Sequence, residues 1–115
     1  MSIETIFDKI LQGIIPVQKV YEDEYTLAFN DINPQAPVHV LVIPKKKIKC
    51  VSEATPEDCN TLGNILLAAK KVAELTGISE KGFRLVMNNG NEGGQTVDYI
   101  HCHVLGGRSM GWPPG

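Results

Sequence analysis

The stretch covering residues 93–107, GGQTVDYIHCHVLGG, constrains this chain more than any other. Glycine pairs bracket a short run of alternating character, and residues two apart in an extended strand share a face. Tyr99, His101 and His103 therefore point one way, and Ile100, Cys102 and Val104 point the other. The second set faces a core. Two imidazoles and a phenol side by side on the opposite face mark a candidate site.

The rest of the chain supplies the layers around that strand. Residues 2–12 read as a short helix, with Ile6, Phe7, Ile10 and Leu11 at helical spacings and Gly13 and Pro16 as stops. Residues 17–21 and 25–29 read as strands around an acidic turn. Tyr25, Leu27 and Phe29 alternate with Thr26 and Ala28. Residues 30–37 (NDINPQAP) form a loop by composition. Residues 38–43 follow as an apolar strand buried on both faces, broken only by His39, which reads as a buried supporting residue rather than a ligand.

The long helix spans residues 56–76. Thr55 can cap it, Pro56 suits its first turn, and Glu57 and Asp58 favour its positive end. Leu62, Ile65, Leu66, Ala69, Val72 and Ala73 form one apolar stripe that reads as core, and Gly77 ends the helix. Residues 83–88 read as the next strand. The glycine-rich connection 89–96 reads as a loop, although its glycines could let backbone N–H groups approach a phosphate. The tail RSMGWPPG has no periodicity, and Trp112 in it is costly to leave in water, so the tail is expected to dock. The pattern predicts one α+β domain.

Composition narrows the function classes. At 115 residues the chain can bury a single core. A net charge of -2 gives no argument for nucleic acid or a membrane surface, and the lysines at 45, 46, 47 and 49 read as a solvated strand end. No run approaches the roughly 18 to 20 apolar residues of a membrane span, and no signal peptide is visible. Three cysteines, Cys50, Cys59 and Cys102, lack paired spacing. Free thiols in a reducing compartment, the cytosol or the nucleus, are the expectation.

Three uses compete for His101 and His103. They could be polar residues on a solvated strand face. They could ligate a metal with His39 or Cys102, although Cys102 points away from them and no C-x-x-C accompanies it. Or one imidazole could attack phosphorus. Neutral imidazole, with a pKa near ~6.5, is a good nucleophile, and a covalent intermediate splits one hard displacement into two. That chemistry needs donors for phosphoryl oxygens, which the glycine-rich loop could provide, and a second group near the leaving atom. His103 and Thr96 are placed for this. Only the third use engages loop and strand together.

The string from Gln95 to Gly107 resembles the signature H-φ-H-φ-H-φ-φ of the histidine triad (HIT) superfamily. TIFDKI, AFNDINPQAPVHVLVIPKK, NNGNEGGQTV and VLGGRSMGWPPG resemble, in order, its Hint branch of purine nucleoside phosphoramidases. The resemblance implies a five-stranded antiparallel sheet with two helices, joined to a second sheet across a homodimer. It implies that His101 becomes nucleotidylated and that His103 contacts the phosphoryl and leaving-group side. His39 would lie behind the triad, and Asp31 would hold the ribose. Phe7, Ile10, Ile15, Phe29 and Ile32 would wall the base, and Asn88, Gly94, Gln95 and Thr96 would bind phosphate. Trp112, in a tail covering residues 108–115, would reach the partner subunit's site. The implied reaction releases a nucleoside monophosphate such as AMP, with no cofactor. The alternative is a nucleotide-binding or scaffold protein with little catalysis.

Two positions depart from the pattern. Tyr99 stands at the first triad histidine, and Lys47 stands where close relatives often carry histidine. In the family the first position orients the central imidazole partly through its backbone carbonyl, which tyrosine keeps. A phenol with a pKa near ~10 cannot trade protons as imidazole does. The expectation is reduced activity and a faster Tyr99→His variant.

Overall fold

The structure is a computed structural model that describes residues 3–115, so Ser2, the first residue of the helix read from the pattern, lies outside the described residues. Helix α1 (Ile6–Leu11) starts where Thr5 caps it. The Asp8 N–H donates to Thr5 Oγ1 at 3.3 Å and the Thr5 N–H donates to the Asp8 carboxylate at 2.6 Å, a reciprocal capping box. Gly13, at φ +77°, turns the chain out of the helix.

Five strands follow: β1 (Lys19–Glu22), β2 (Thr26–Asn30), β3 (Val38–Pro44), β4 (Phe83–Val86) and β5 (Cys102–Gly106). They form one antiparallel sheet in the order β1-β2-β3-β5-β4. Because β5 inserts between β3 and β4, the histidine strand lies inside the sheet. His103 faces Leu41 on one side and Val86 on the other. The ladder is shorter than the alternation suggests. Residues 99–101 stay outside it because the Ile100 N–H donates to Ile48 O at 2.7 Å and the Tyr99 carbonyl is taken by the His101 ring. The alternation of side chains nevertheless continues through them.

Each sheet face carries its own apolar cluster. Ala28, Val40, Val42, Ile100, Cys102 and Val104 pack under α2 (Cys59–Leu75), against Ile65, Ala68, Ala69, Val72 and Ala73. Complete burial of a residue such as Ile65 or Val72 stabilises the fold by about 1.5–3 kcal/mol. The stripe is displaced from the one read in the sequence. Leu66 is 50 % exposed and Ala68 is buried, because Leu66 sits one residue, ~100°, round the helix from Ile65. Two separate 3-10 turns, Val51–Glu53 and Pro56–Asp58, precede α2, the second replacing the expected first helical turn. No helix of the described residues is long and apolar enough to cross a membrane.

On the opposite face, Phe7 and Ile10 of α1 cover Leu27, Phe29, Leu41, Ile43 and Tyr99. His39, His101 and His103 share this face, with Phe7 of α1 against His101. The lysine run is not a free basic patch. Lys45 pairs with Glu22 at 2.9 Å, Lys46 with Asp58 at 2.5 Å and Lys47 with Asp8 at 2.8 Å. Lys47 is also less solvated than its neighbours, at 26 % side-chain exposure.

Candidate active site

Hydrogen-bond partners assign the tautomer of each imidazole. A carbonyl only accepts, so the 2.7 Å contact between His101 Nδ1 and Tyr99 O puts the proton on Nδ1 and leaves a lone pair on Nε2. A backbone N–H only donates, so the Gln35 N–H at 3.0 Å makes His39 Nδ1 an acceptor. Neutral His39 then carries its proton on Nε2, which donates to His103 Nδ1 at 2.9 Å. His103 in turn holds its proton on Nε2. The site thus presents one bare nitrogen and one N–H from neighbouring rings whose centroids are 5.0 Å apart.

Burial lowers the proton affinity of all three rings. Burial lowers the proton affinity of His101, against opposing pulls from the Tyr99 carbonyl and the Asp31 charge. His103 is pushed down to about 4, first by burial and then by His101 and His39, with Asp31 opposing. His39 is lowered by burial, with Asp31 again opposing. Asp31 Oδ2 lies 3.4 Å from His39 Nε2, while its Oδ1 accepts from the Asn33 N–H at 2.8 Å. Phe7 meets the His101 ring edge-to-face at 5.0 Å, and His101 is only 4 % exposed.

The other expected residues divide into groups. Phe7, Ile10 and Phe29 are buried in the cluster under α1, with Ile15 packed at its edge, and of these Phe7 meets His101. Ile32 is 98 % exposed on the loop after β2 and joins neither cluster. Ile10 and Ile15 also line a cavity of about 460 Å³ toward β1. Gln95 and Thr96 instead border a groove of about 1050 Å³ beside Lys46 and Lys49. Among the described residues, His101 and His103 line neither.

The glycine-rich connection is partly closed on itself. It forms a single turn, α3 (Gly90–Gly93), closed by Gly94 at φ +83°. The Gly94 N–H donates to Asn91 O and the Gln95 N–H to Gly90 O, so both are consumed within the turn. The Gln95 side chain is committed as well. Its Oε1 accepts from the Gly90 N–H at 2.9 Å, and its Nε2 donates to Lys49 O at 2.7 Å and Val97 O at 3.0 Å. The Gln95 side chain therefore closes the loop on itself. Exposed Thr96 and half-buried Asn88 follow and precede that turn. Trp112 is 84 % exposed, and within the chain its segment is held by Arg84 Nη2 donating to Gly111 O at 2.9 Å.

Asp31, His39 and His103 offer ligand atoms within 4.8 Å of one another, which tests the metal alternative. A metal on His39 Nε2 would move the ring proton to Nδ1, where it would confront the Gln35 N–H. Metal-bound histidines donate that second N–H to an acceptor. The hydrogen bonding of His39 thus disfavours a metal at its Nε2. Cys102 does not assist, since it is buried on the α2 face with its thiol pushed up to about 11 by burial.

Some supporting groups carry no sequence signal. Arg108 Nε and Nη2 donate to Gln35 O at 3.3 and 3.0 Å, steadying the loop that feeds His39. The Pro44 carbonyl accepts from the Tyr99 hydroxyl at 2.5 Å. Both acceptors are backbone atoms that any residue would provide, so only the fold reveals them.

Comparison with known proteins places this geometry. The profile of the HIT domain matches residues 12–110. An uncharacterized HIT-like protein of Synechocystis is 58 % identical over 115 residues, covering all of both chains. The crystal structure of a HIT family hydrolase from Legionella pneumophila is 53 % identical, with a TM-score of 0.94 over 97 % of this chain and 100 % of that one. A histidine triad nucleotide-binding protein from Candida albicans is 34 % identical, with a TM-score of 0.81 over 96 % of this chain and 83 % of that one. The profile match, the full-length relative and the shared fold agree: this chain belongs to the HIT-domain family.

Proposed function

We propose that the chain is a hydrolase of purine nucleoside 5′-phosphoramidates. The observation that carries this is the tautomer pattern, a bare His101 Nε2 beside a protonated His103 Nε2. His101 Nε2 attacks phosphorus, and the P–N bonding pair leaves on the amine nitrogen, which takes a proton from solvent. His103 Nε2–H donates a hydrogen bond on the leaving-group side. The nucleotidyl-imidazolium keeps its Nδ1–H on the Tyr99 carbonyl, which stabilises the charge it has gained. Water then attacks phosphorus, loses a proton and returns the lone pair to Nε2, releasing nucleoside monophosphate. Asp31 holds the ribose, the Phe7 side of the sheet holds the base, and Thr96 with Asn88 binds the phosphate. No step needs a cofactor.

Support comes from the hydrolase and nucleotide-binding descriptions of the structural relatives. The site is completed in a homodimer. The sheet ends in the open edge of β4, where Leu85 is 36 % exposed, and Leu66 and Leu67 of α2 are 50 % and 65 % exposed. A nucleotide-binding protein without turnover is the second reading, favoured by the 4 % exposure of His101. Protein quenched during turnover of an adenosine phosphoramidate should carry a nucleotide adduct on His101 by mass spectrometry. His101→Ala should lose on the order of a thousandfold or more in turnover. Nucleotide affinity without an adduct and without turnover would favour the binding protein.

A further inference from the structure

The residue that departs from the family pattern has an unexpected place. The Tyr99 hydroxyl is committed to the backbone of β3 rather than to a histidine. Tyr99 is 1 % exposed within the α1 cluster, and its hydroxyl donates to the Pro44 carbonyl at the end of β3 at 2.5 Å. Its ring meets Phe7 edge-on at 6.0 Å. The same residue's carbonyl accepts the His101 Nδ1–H. Tyr99 is thus tied through its side chain to β3 and through its main chain to the nucleophile. The tie matters because residues 97–101 lack the sheet hydrogen bonds that hold β5.

The second departure belongs to the same structure. Lys47, three residues beyond Pro44, donates to Asp8 at 2.8 Å and to Ile3 O at 2.9 Å. Asp8 is the N-terminal cap partner of α1, and Phe7, the preceding residue, packs on both Tyr99 and His101. Tyr99 fastens the end of β3, and Lys47 the segment after it, to what surrounds the nucleophile.

We propose that Tyr99 is a positioning residue: its hydroxyl, anchored on Pro44, holds the Tyr99 carbonyl in place and so selects the His101 tautomer with Nε2 bare. The catalytic half of this inference rests on the phosphoramidase reading. The tautomer half does not. A phenol in this role is not an impaired proton carrier, so this geometry and the family pattern predict opposite signs for Tyr99→His. An imidazole is shorter than a phenol and cannot place a donor at the same point on Pro44.

The test compares Tyr99→Phe, which removes only the hydroxyl, with Tyr99→His. In Tyr99→Phe, kcat should fall about tenfold with KM within about twofold, because positioning acts on the reacting geometry rather than on uniform binding. The ring-nitrogen NMR shifts of His101 should move from a pure Nδ1–H form toward a mixture of tautomers, a change that lost stability alone would not produce. Tyr99→His should be no faster than the native chain. A faster Tyr99→His, or a folded Tyr99→Phe with native kcat and a pure Nδ1–H signal, would overturn the proposal. If the native chain hydrolyses no phosphoramidate, the functional reading fails, while the His101 tautomer still decides whether Tyr99 positions it.

Discussion

A neutral imidazole can offer its lone pair at either ring nitrogen, and around His101 a single carbonyl makes the choice. Protonation of Nε2 ends the nucleophile, so the acid side of the rate profile reports the proton affinity of His101. Burial lowers that affinity, and the neutral form persists to lower pH than in a free histidine. The acid limb of kcat/KM for phosphoramidate hydrolysis should therefore have its midpoint below the ordinary ~6.5. Asp31 raises all three rings, so Asp31→Asn should shift the limb further toward acid. A limb at or above neutrality, or one moved upward by Asp31→Asn, would contradict this electrostatic account. Stability follows the same sign. Below about 6.5 the unfolded histidines bind protons that the native ones refuse. Unfolding free energy should accordingly fall as the pH drops toward His103's value of about 4.

The elements show which parts of this arrangement the sequence can carry. Alternation over residues 99–104 sorts side chains correctly even where the ladder is absent, because strand-like dihedrals alone impose the period. The long helix is legible from its stripe, but the exposure of Leu66 is not, since periodicity cannot say how far a sheet extends beneath a helix edge. Likewise, composition marks residues 89–96 as glycine-rich without showing that Gln95 spends its whole side chain on closing the turn. Long-range contacts are the least legible of all. Gly106 ends β5 where the segment after α2 crosses it, and a Cβ there would lie 2.5 Å from Ile78 Cδ1 and 3.0 Å from Ile78 Cβ. Gly106→Ala should destabilise the fold by about 1–3 kcal/mol through overpacking. Ile78→Ala should make room, so the double variant should lose less stability in urea titrations than the two single losses added together. Strict additivity would show that the contact is not what requires glycine.

At the scale of the whole molecule the single chain leaves unfinished surfaces: the open β4 edge, exposed leucines on α2, and a tail that places Trp112 in solvent. The proposed homodimer covers the first two and gives the third a destination in the partner's site, close to a nucleophile that is otherwise open on few sides. These ideas separate cleanly in a mixing experiment. A chain truncated after Met110 keeps His101 and also Arg108, which holds Gln35, but loses Trp112. The His101→Ala chain keeps Trp112 but lacks the nucleophile. Each homodimer alone should be impaired, the truncated one severalfold and the other almost completely. If the two are unfolded together and refolded in equal amounts, half the dimers are mixed, and about one site in four combines a native His101 with a tail donated across the two-fold axis. Phosphoramidate turnover should then exceed the average of the two parents. Should each tail serve its own chain instead, no mixed dimer contains a complete site, and the mixture would show that average and nothing more.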